Sequence, residues 1–122
     1  MTFTIHLPWP DSRLSPNARN NRLHVTKQRR DARNAGYMLA LAAARKANWS
    51  PADAKAVRIT YTFHPPDRRH RDLDNLHSCL KAAGDGVAKA IGIDDAKWRE
   101  VTLRMAEPTG EPGVTMEIGV IE

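Results

Sequence analysis

The sequence predicts an α/β (α+β) fold in which a small mixed β-sheet of about four strands packs with two main helices. Four segments alternate apolar and polar residues, which is typical of strands with one buried face. Two longer segments place apolar residues three and four positions apart, which is typical of helices. With 122 residues, the chain has the length of one domain, so residues 1–122 are expected to form a single domain with a thin core.

The first strand is predicted at Thr2–Leu7, where every second residue is apolar. Pro8 and Pro10 end it, because proline cannot donate a hydrogen bond to a neighbouring strand. Trp9 lies between the two prolines and has two interpretations, an anchor in the core or a stacking surface for a base. The core interpretation is favoured, since a large aromatic side chain contributes most when it is buried.

Basic residues are concentrated between positions 11 and 33, where Asp11 and Asp31 are the only acids. A solvated surface would explain the charges, but the imbalance favours contacts with the phosphates of a nucleic acid. The residues concerned are Arg13, Arg19, Arg22, Lys27, Arg29, Arg30 and Arg33.

The first helix is predicted from Thr26, a good N-cap residue, to Ala47. Alanine, arginine and lysine are abundant in this segment, and all three favour helices. Gly36 interrupts the pattern and is expected to mark a close approach of this helix to the sheet. The apolar positions that fit a helix are Ala35, Met38, Leu39 and Ala42.

Three further strands are predicted at Lys55–His64, Trp98–Met105 and Val114–Ile121. The alternation is broken between Trp98 and Val101, which indicates either a later start or a β-bulge. The last two strands are separated by a turn with two prolines and two glycines, so they are expected to form a hairpin.

The second helix is predicted over residues 73–91, where apolar residues form one stripe. The opposite stripe is polar and contains Asp74, Ser78, Lys81 and Asp85, spaced by four, three and four residues. Lys81 has two interpretations, a solvated partner of Asp85 one turn away or a group that stabilises charge on a phosphate.

Acidic residues at both ends of this helix are candidate ligands for a hard divalent cation. Asp72 and Asp74 precede and open the helix, and Asp94 and Asp95 follow it. Asp72 and Asp74 are able to face the same cation only if Asp72 lies in an extended segment before the helix. The competing interpretation is that these residues are helix caps and turn formers. Their grouping within a basic chain favours Mg²⁺, which prefers carboxylate oxygens and water, with Mn²⁺ as a substitute.

The bulk charge indicates a polyanionic partner, because the net charge is +5 and the pI is about 9.8. No apolar run is long enough to span a membrane, and the N-terminus lacks the pattern of a signal peptide, so a cytoplasmic location is expected. Cys79 is the only cysteine, which argues against a disulfide and a cysteine-based zinc site. Nothing indicates a small-molecule cofactor. Phosphate contacts are also predicted for Arg68, Arg69 and Arg71.

The segment P-D-R-R-H-R-D-L-D-N-L at Pro66–Leu76 resembles the signature of the RusA-type crossover junction endodeoxyribonucleases. Three other segments are similar to the same family. They are I-H-L-P-W-P at Ile5–Pro10, K-A-A-G-D at Lys81–Asp85 and I-D-D-A at Ile93–Ala96.

The resemblance implies a small α/β homodimer that resolves four-way DNA junctions with Mg²⁺ by paired nicks, in recombination and repair in bacteria and phages. It assigns the essential acids to Asp72, Asp74 and Asp95, with Asp94 as the alternative within the pair. It assigns the essential lysine to Lys81 through the K-A-A-x-D match, although Ser78 lies nearer to the family's position. Two competing hypotheses are a non-catalytic basic protein that binds branched or single-stranded DNA and a nuclease that acts on RNA.

Overall fold

The computed structural model describes residues 1–16 and 22–121, apart from the side chains of residues 22–24 and 53. The predicted α+β class is confirmed, with three helices and one four-stranded mixed sheet. No helix in the described ranges is long and apolar enough to cross a membrane. The strands are β1 at Thr2–Leu7, β2 at Ala56–His64, β3 at Trp98–Met105 and β4 at Gly113–Ile121. The helices are α1 at Arg22–Lys46, α2 at Leu73–Cys79 and α3 at Lys81–Ile91.

The sheet has the order β1-β4-β2-β3, with β4 antiparallel to both of its neighbours and β3 parallel to β2. The predicted hairpin of the last two strands is therefore wrong. Residues 106–112 carry the chain past the end of β2, so that β4 enters between β1 and β2 instead of pairing with β3. The expected irregularity in β3 is a bulge, because the pairing of Val57 with Trp98 is followed by that of Arg58 with Glu100, which skips Arg99.

The core lies between one face of the sheet and the helices. Alternate residues of β1, β2 and β4 point toward the helices and are almost fully buried, which follows from the period of two along a strand. The other sheet face is polar, and on it His64 Nε2 lies 2.9 Å from Thr115 Oγ1. The sheet residues of the core are Phe3, Ile5, Leu7, Val57, Ile59, Tyr61, Phe63, Val114, Met116 and Ile118.

Helix α1 differs from its prediction at its start and in what it contacts. It begins at Arg22, so Thr26 lies inside the helix and is not its N-cap. Gly36 approaches the backbone of α3 at Ala83 and not the sheet, and on the facing helix Gly86 approaches the backbone of α1 at Arg33. Because both glycines lack a Cβ atom, the two helix backbones come closer than larger side chains would allow.

The predicted single helix over residues 73–91 is divided at Leu80. Leu80 has φ −91° and ψ 0°, and its N–H donates to the carbonyls of His77 and Ser78. Leu80 is only 3% exposed, so the apolar stripe continues across it without a gap. The apolar pattern therefore does not indicate the break between α2 and α3. Helix α3 starts at Lys81 and ends at Ile91, and its C-cap is Gly92, whose φ of 74° suits the left-handed C-terminal position.

The close approach of α1 and α3 predicts opposite effects for two glycines of α3. At Gly86 an added Cβ would lie 2.8 Å from Tyr37 N and closer still to the Arg33 carbonyl, so Gly86→Ala should lower the free energy of unfolding by about 2 kcal/mol. At Gly84 the nearest atom would be 3.5 Å away, so Gly84→Ala should raise that free energy by up to about 1 kcal/mol. Urea unfolding followed by circular dichroism measures both, and equal effects would contradict this packing.

Candidate active site

The start of α3 borders a depression of about 330 Å³ in which charged and aromatic side chains meet. Lys81 and Asp85 lie one turn apart on α3, and Asp95 comes from the short 3-10 turn at Asp95–Lys97 that follows the helix. We call this depression the aromatic pocket. Its lining residues are Tyr61, His77, Ser78, Leu80, Lys81, Gly84, Asp85, Asp95, Trp98 and Val101.

A second depression of about 310 Å³ lies between α1 and α3, and we call it the basic pocket. Arg29 and Arg33 reach it from α1, one turn apart, and Lys81 reaches it from α3. Ser78, Lys81 and Asp85 line both pockets, so the two depressions are adjacent. Lys81 lines both pockets, and no ion pair joins it to Asp85 in the described part of the chain.

Asp72 and Asp74 lie at the start of α2. Asp72 is extended, with φ −89° and ψ 122°, which confirms the predicted segment before the helix. It is the N-cap, and its Oδ1 accepts a hydrogen bond of 2.9 Å from Asp74 N. Both side chains are exposed, and neither lines the aromatic or the basic pocket. The capping interpretation is therefore correct for Asp72, although a capping carboxylate keeps free lone pairs for a further contact.

Asp94 and Asp95 form a second acidic pair, which follows the C-terminal end of α3. Asp94 Oδ1 accepts a hydrogen bond of 2.9 Å from Ala96 N. The pKa of Asp94 is lowered, first by this N–H group and then by a side-chain hydrogen bond with Asp95. The two carboxyl groups are therefore neighbours. Together with Asp85 they border a shallow depression of about 340 Å³ beside Lys89.

The predicted convergence of Asp72, Asp74 and Asp95 is not present in the described residues. Among these residues, no three aspartate, glutamate, histidine or cysteine side chains lie close enough to hold a metal ion together. The acids instead form two exposed pairs, one at each end of the α2–α3 segment. A pair fits the chemistry of Mg²⁺, which is commonly held by one or two carboxylates, by water and by substrate phosphates.

Most of the other basic candidates have acidic partners at the surface. The nitrogen–oxygen distance is 2.7 Å from Arg13 to Asp11, 3.5 Å from Lys27 to Asp31, 3.2 Å from Arg68 to Glu107 and 3.4 Å from Arg69 to Asp67. Such exposed pairs contribute little to stability, so a phosphate would compete readily for these cations. Arg30 is exposed on α1, Arg19 lies outside the described residues, and so does the side chain of Arg22.

Arg71 has a different environment from the other candidates, since its side chain is only 17% exposed. Its guanidinium donates to the Asp67 carboxylate at 2.7 Å and to the Asp67 carbonyl at 3.0 Å, and it lies 5.4 Å from the centre of the Trp9 ring. Trp9 packs edge-on against Phe63 at 6.3 Å, which confirms it as a core anchor. Arg71 therefore holds the loop before Asp72 against the body of the protein, a contact that the sequence did not predict.

Three aromatic groups at the aromatic pocket were not predicted as site residues. The rings of Tyr61 and His77 lie 5.4 Å apart. Burial lowers the pKa of His77, against the opposing charge of Asp74, so the imidazole favours its neutral form. Burial and the charge of Asp85 raise the pKa of the Tyr61 hydroxyl. Tyr61 occupies a core position of β2 and Trp98 opens β3, so nothing in the sequence distinguished them from ordinary packing residues.

Comparison with known proteins identifies relatives over the whole chain, while no family model matches. The chain is 34% identical to "Crossover junction endodeoxyribonuclease RusA" of Escherichia coli K12 over 124 residues, which cover 99% of this chain and 95% of that protein. It is 35% identical to the protein of the same name from Enterobacteria phage 82, with the same coverage. A Xylella fastidiosa protein without an assigned function is 38% identical over 100 residues, which cover 78% of this chain and 61% of that protein.

Proposed function

The chain belongs to the RusA family of crossover junction endodeoxyribonucleases, and from this premise we propose that it is a divalent-metal-dependent endonuclease that resolves four-way DNA junctions in recombination and repair. The observation that carries the proposal is the position of Lys81. This residue lies at the start of α3, where the basic and aromatic pockets meet, and Asp95 lines the aromatic pocket.

The basic pocket supplies a path for the phosphate backbone. Arg29, Arg33 and Lys81 provide three positive charges around one depression, and such contacts hold DNA without reading its sequence. The N-terminus of α3 adds to this field, because it has no side-chain cap and no acidic residue in its first turn. The positive end of the helix dipole favours a phosphate oxygen beside Lys81.

The acidic pairs are the proposed site of a divalent cation. Asp72 with Asp74, and Asp95 with Asp94, would supply the carboxylates for Mg²⁺ or Mn²⁺. When bound, such a cation lowers the pKa of a coordinated water and neutralises charge on a phosphate. Lys81 would stabilise the negative charge that develops on the scissile phosphate during hydrolysis. The exposed positions of all four carboxylates leave them accessible to DNA and ions.

A homodimer would account for paired nicks, because a two-fold axis presents the same site to two opposed strands of a four-way junction. The outer edge of β3 is a suitable contact. Strand β3 pairs only with β2 in the described sheet, and its Val101 and Met105 are 43% and 39% exposed. Light scattering should give a mass near twice the 13.6 kDa of one chain, and the mass of one chain would contradict the dimer.

A non-catalytic DNA-binding protein is the second candidate, and one observation favours it. Asp72 and Asp94 cap local backbone groups, and no three-ligand cluster is present among the described side chains. In that case the basic pocket would bind branched or single-stranded DNA, and EDTA would leave the function unchanged. The nicking assay with and without Mg²⁺ separates the two candidates.

Replacing the proposed ligands should abolish nicking without abolishing binding. Asp72→Asn, Asp74→Asn and Asp95→Asn should each lower the rate on a labelled synthetic four-way junction in Mg²⁺ by at least about 100-fold, because each removes a charged metal ligand. Glu117→Gln is the matched control, since Glu117 is exposed on the polar face of the sheet, away from both pockets.

The same assay tests the remaining assignments of the acids and the lysine. Asp94→Asn should reduce the rate less than Asp95→Asn does, and Lys81→Gln should lower the rate while junction affinity falls only slightly. If the three ligand variants cut the junction as fast as the unchanged protein in Mg²⁺, the metal assignment is wrong.

The basic pocket predicts a change in the salt dependence of binding. Arg29→Ala and Arg33→Ala should each reduce the slope of log affinity against log salt concentration by about 1, because each removes one phosphate contact. Fluorescence anisotropy with a labelled junction in EDTA measures this slope without cleavage. Arg45→Ala is the control, since Arg45 is exposed in the last turn of α1 and lines neither pocket. An equal change in slope for Arg45→Ala would refute the phosphate path.

A further inference from the structure

We propose that the aromatic pocket binds a single unstacked nucleobase of the junction, from the nucleotide whose phosphate lies beside Lys81. The inference deepens the proposed function and rests on it, because it names the part of the DNA that this pocket recognises. The proposed metal and phosphate contacts give a role to Lys81 and the two acidic pairs. They give no role to the rings of Tyr61, His77 and Trp98 or to the volume of the aromatic pocket.

The shape of the pocket depends on the missing side chain of Gly84. This glycine is buried, and a Cβ atom at its position would lie 3.5 Å from the Tyr61 hydroxyl and 3.7 Å from two ring atoms of Trp98. These are ordinary contact distances, so a methyl group would fit there and would occupy pocket space. The helix would also be more stable with alanine at this position, which means that the glycine has no advantage for α3 itself.

The lining of the pocket matches the two surfaces of a nucleobase. Trp98 is half-buried and His77 is exposed, so both offer flat rings for the apolar face of a base. The polar edge of a base would meet Ser78 and Asp85, and a few polar groups in an apolar pocket are what fix the orientation of a bound ring.

The size and position of the pocket suit a base that belongs to the bound strand. Its volume of about 330 Å³ lies at the small end of ligand sites. Ser78, Lys81 and Asp85 also line the basic pocket, so a phosphate there and a base here would belong to neighbouring parts of one nucleotide chain. At a branch point the bases lack one continuous stacking neighbour, and this lowers the cost of unstacking.

A double substitution cycle between protein and DNA tests the proposal. Junctions with one abasic nucleotide, placed in turn at each position around the branch point, are titrated with the full chain in EDTA by fluorescence anisotropy. The junction that lacks the base at one particular position should bind about tenfold more weakly than the intact junction, because one stacked base is lost. Gly84→Ala should weaken binding of the intact junction by a similar factor and should leave binding of that abasic junction unchanged.

Two further measurements control the cycle. Trp98→Phe should reduce affinity for the intact junction less than Trp98→Ala does, because phenylalanine retains a stacking ring. The urea midpoint of Gly84→Ala should not fall, since alanine is tolerated at this position, so weaker binding would not reflect unfolding.

The outcomes separate this inference from the proposed function. If Gly84→Ala weakens the intact and all abasic junctions equally, or weakens none, the base pocket is refuted even when nicking in Mg²⁺ proceeds. If Gly84→Ala changes the mass by light scattering while no abasic position matters, the pocket is a protein contact and the proposal is wrong. If the coupling is found but the unchanged protein never nicks, the nuclease proposal fails and the base pocket stands.

Discussion

The close approach of α1 and α3, with Gly36 against the backbone of Ala83 and Gly86 against that of Arg33, is the constraint on which the arrangement of charges depends. Each glycine faces backbone atoms of the opposite helix, so the helix axes are held closer than side chains would permit. This approach places the basic side chains of α1 next to the first turn of α3. Lys81 then lies between two adjacent depressions, and the proposed phosphate path would depend on this close approach.

The elements of the fold were readable from the sequence because burial has a local period. The alternation predicts strand β1 with its observed bounds, and the break before Val101 indicates either a later start of β3 or a bulge, of which the structure has the bulge. The pairing of strands was not readable, since alternation shows which face is buried and not which strand lies alongside. The short turn before β4 predicts a hairpin with β3, whereas β4 lies between β1 and β2.

The site shows the same division between local and long-range information. The position of Asp72 before the helix follows from the pattern around it, and the structure agrees with that expectation. Neither the adjacency of Arg33 and Lys81 nor the inward contacts of Arg71 could be predicted, because the partners are distant in the chain or look like surface charges. Tyr61 and Trp98 were missed for a related reason, since the same apolar pattern describes a packed ring and a ring that borders a cavity.

The division at Leu80 affects how the chain would respond to changes in its length. Within one continuous helix, inserting a residue turns everything beyond it by about 100°. Helix α3 would keep its orientation, because its close glycine packing against α1 fixes it. Helix α2, with the acids Asp72 and Asp74 at its start, would rotate and shift instead. Insertions and deletions near residues 78–80 would therefore alter the distance between the two acidic pairs while leaving Lys81 and the neighbouring arginines in place. Homologous proteins of slightly different length would be expected to differ at this boundary between α2 and α3.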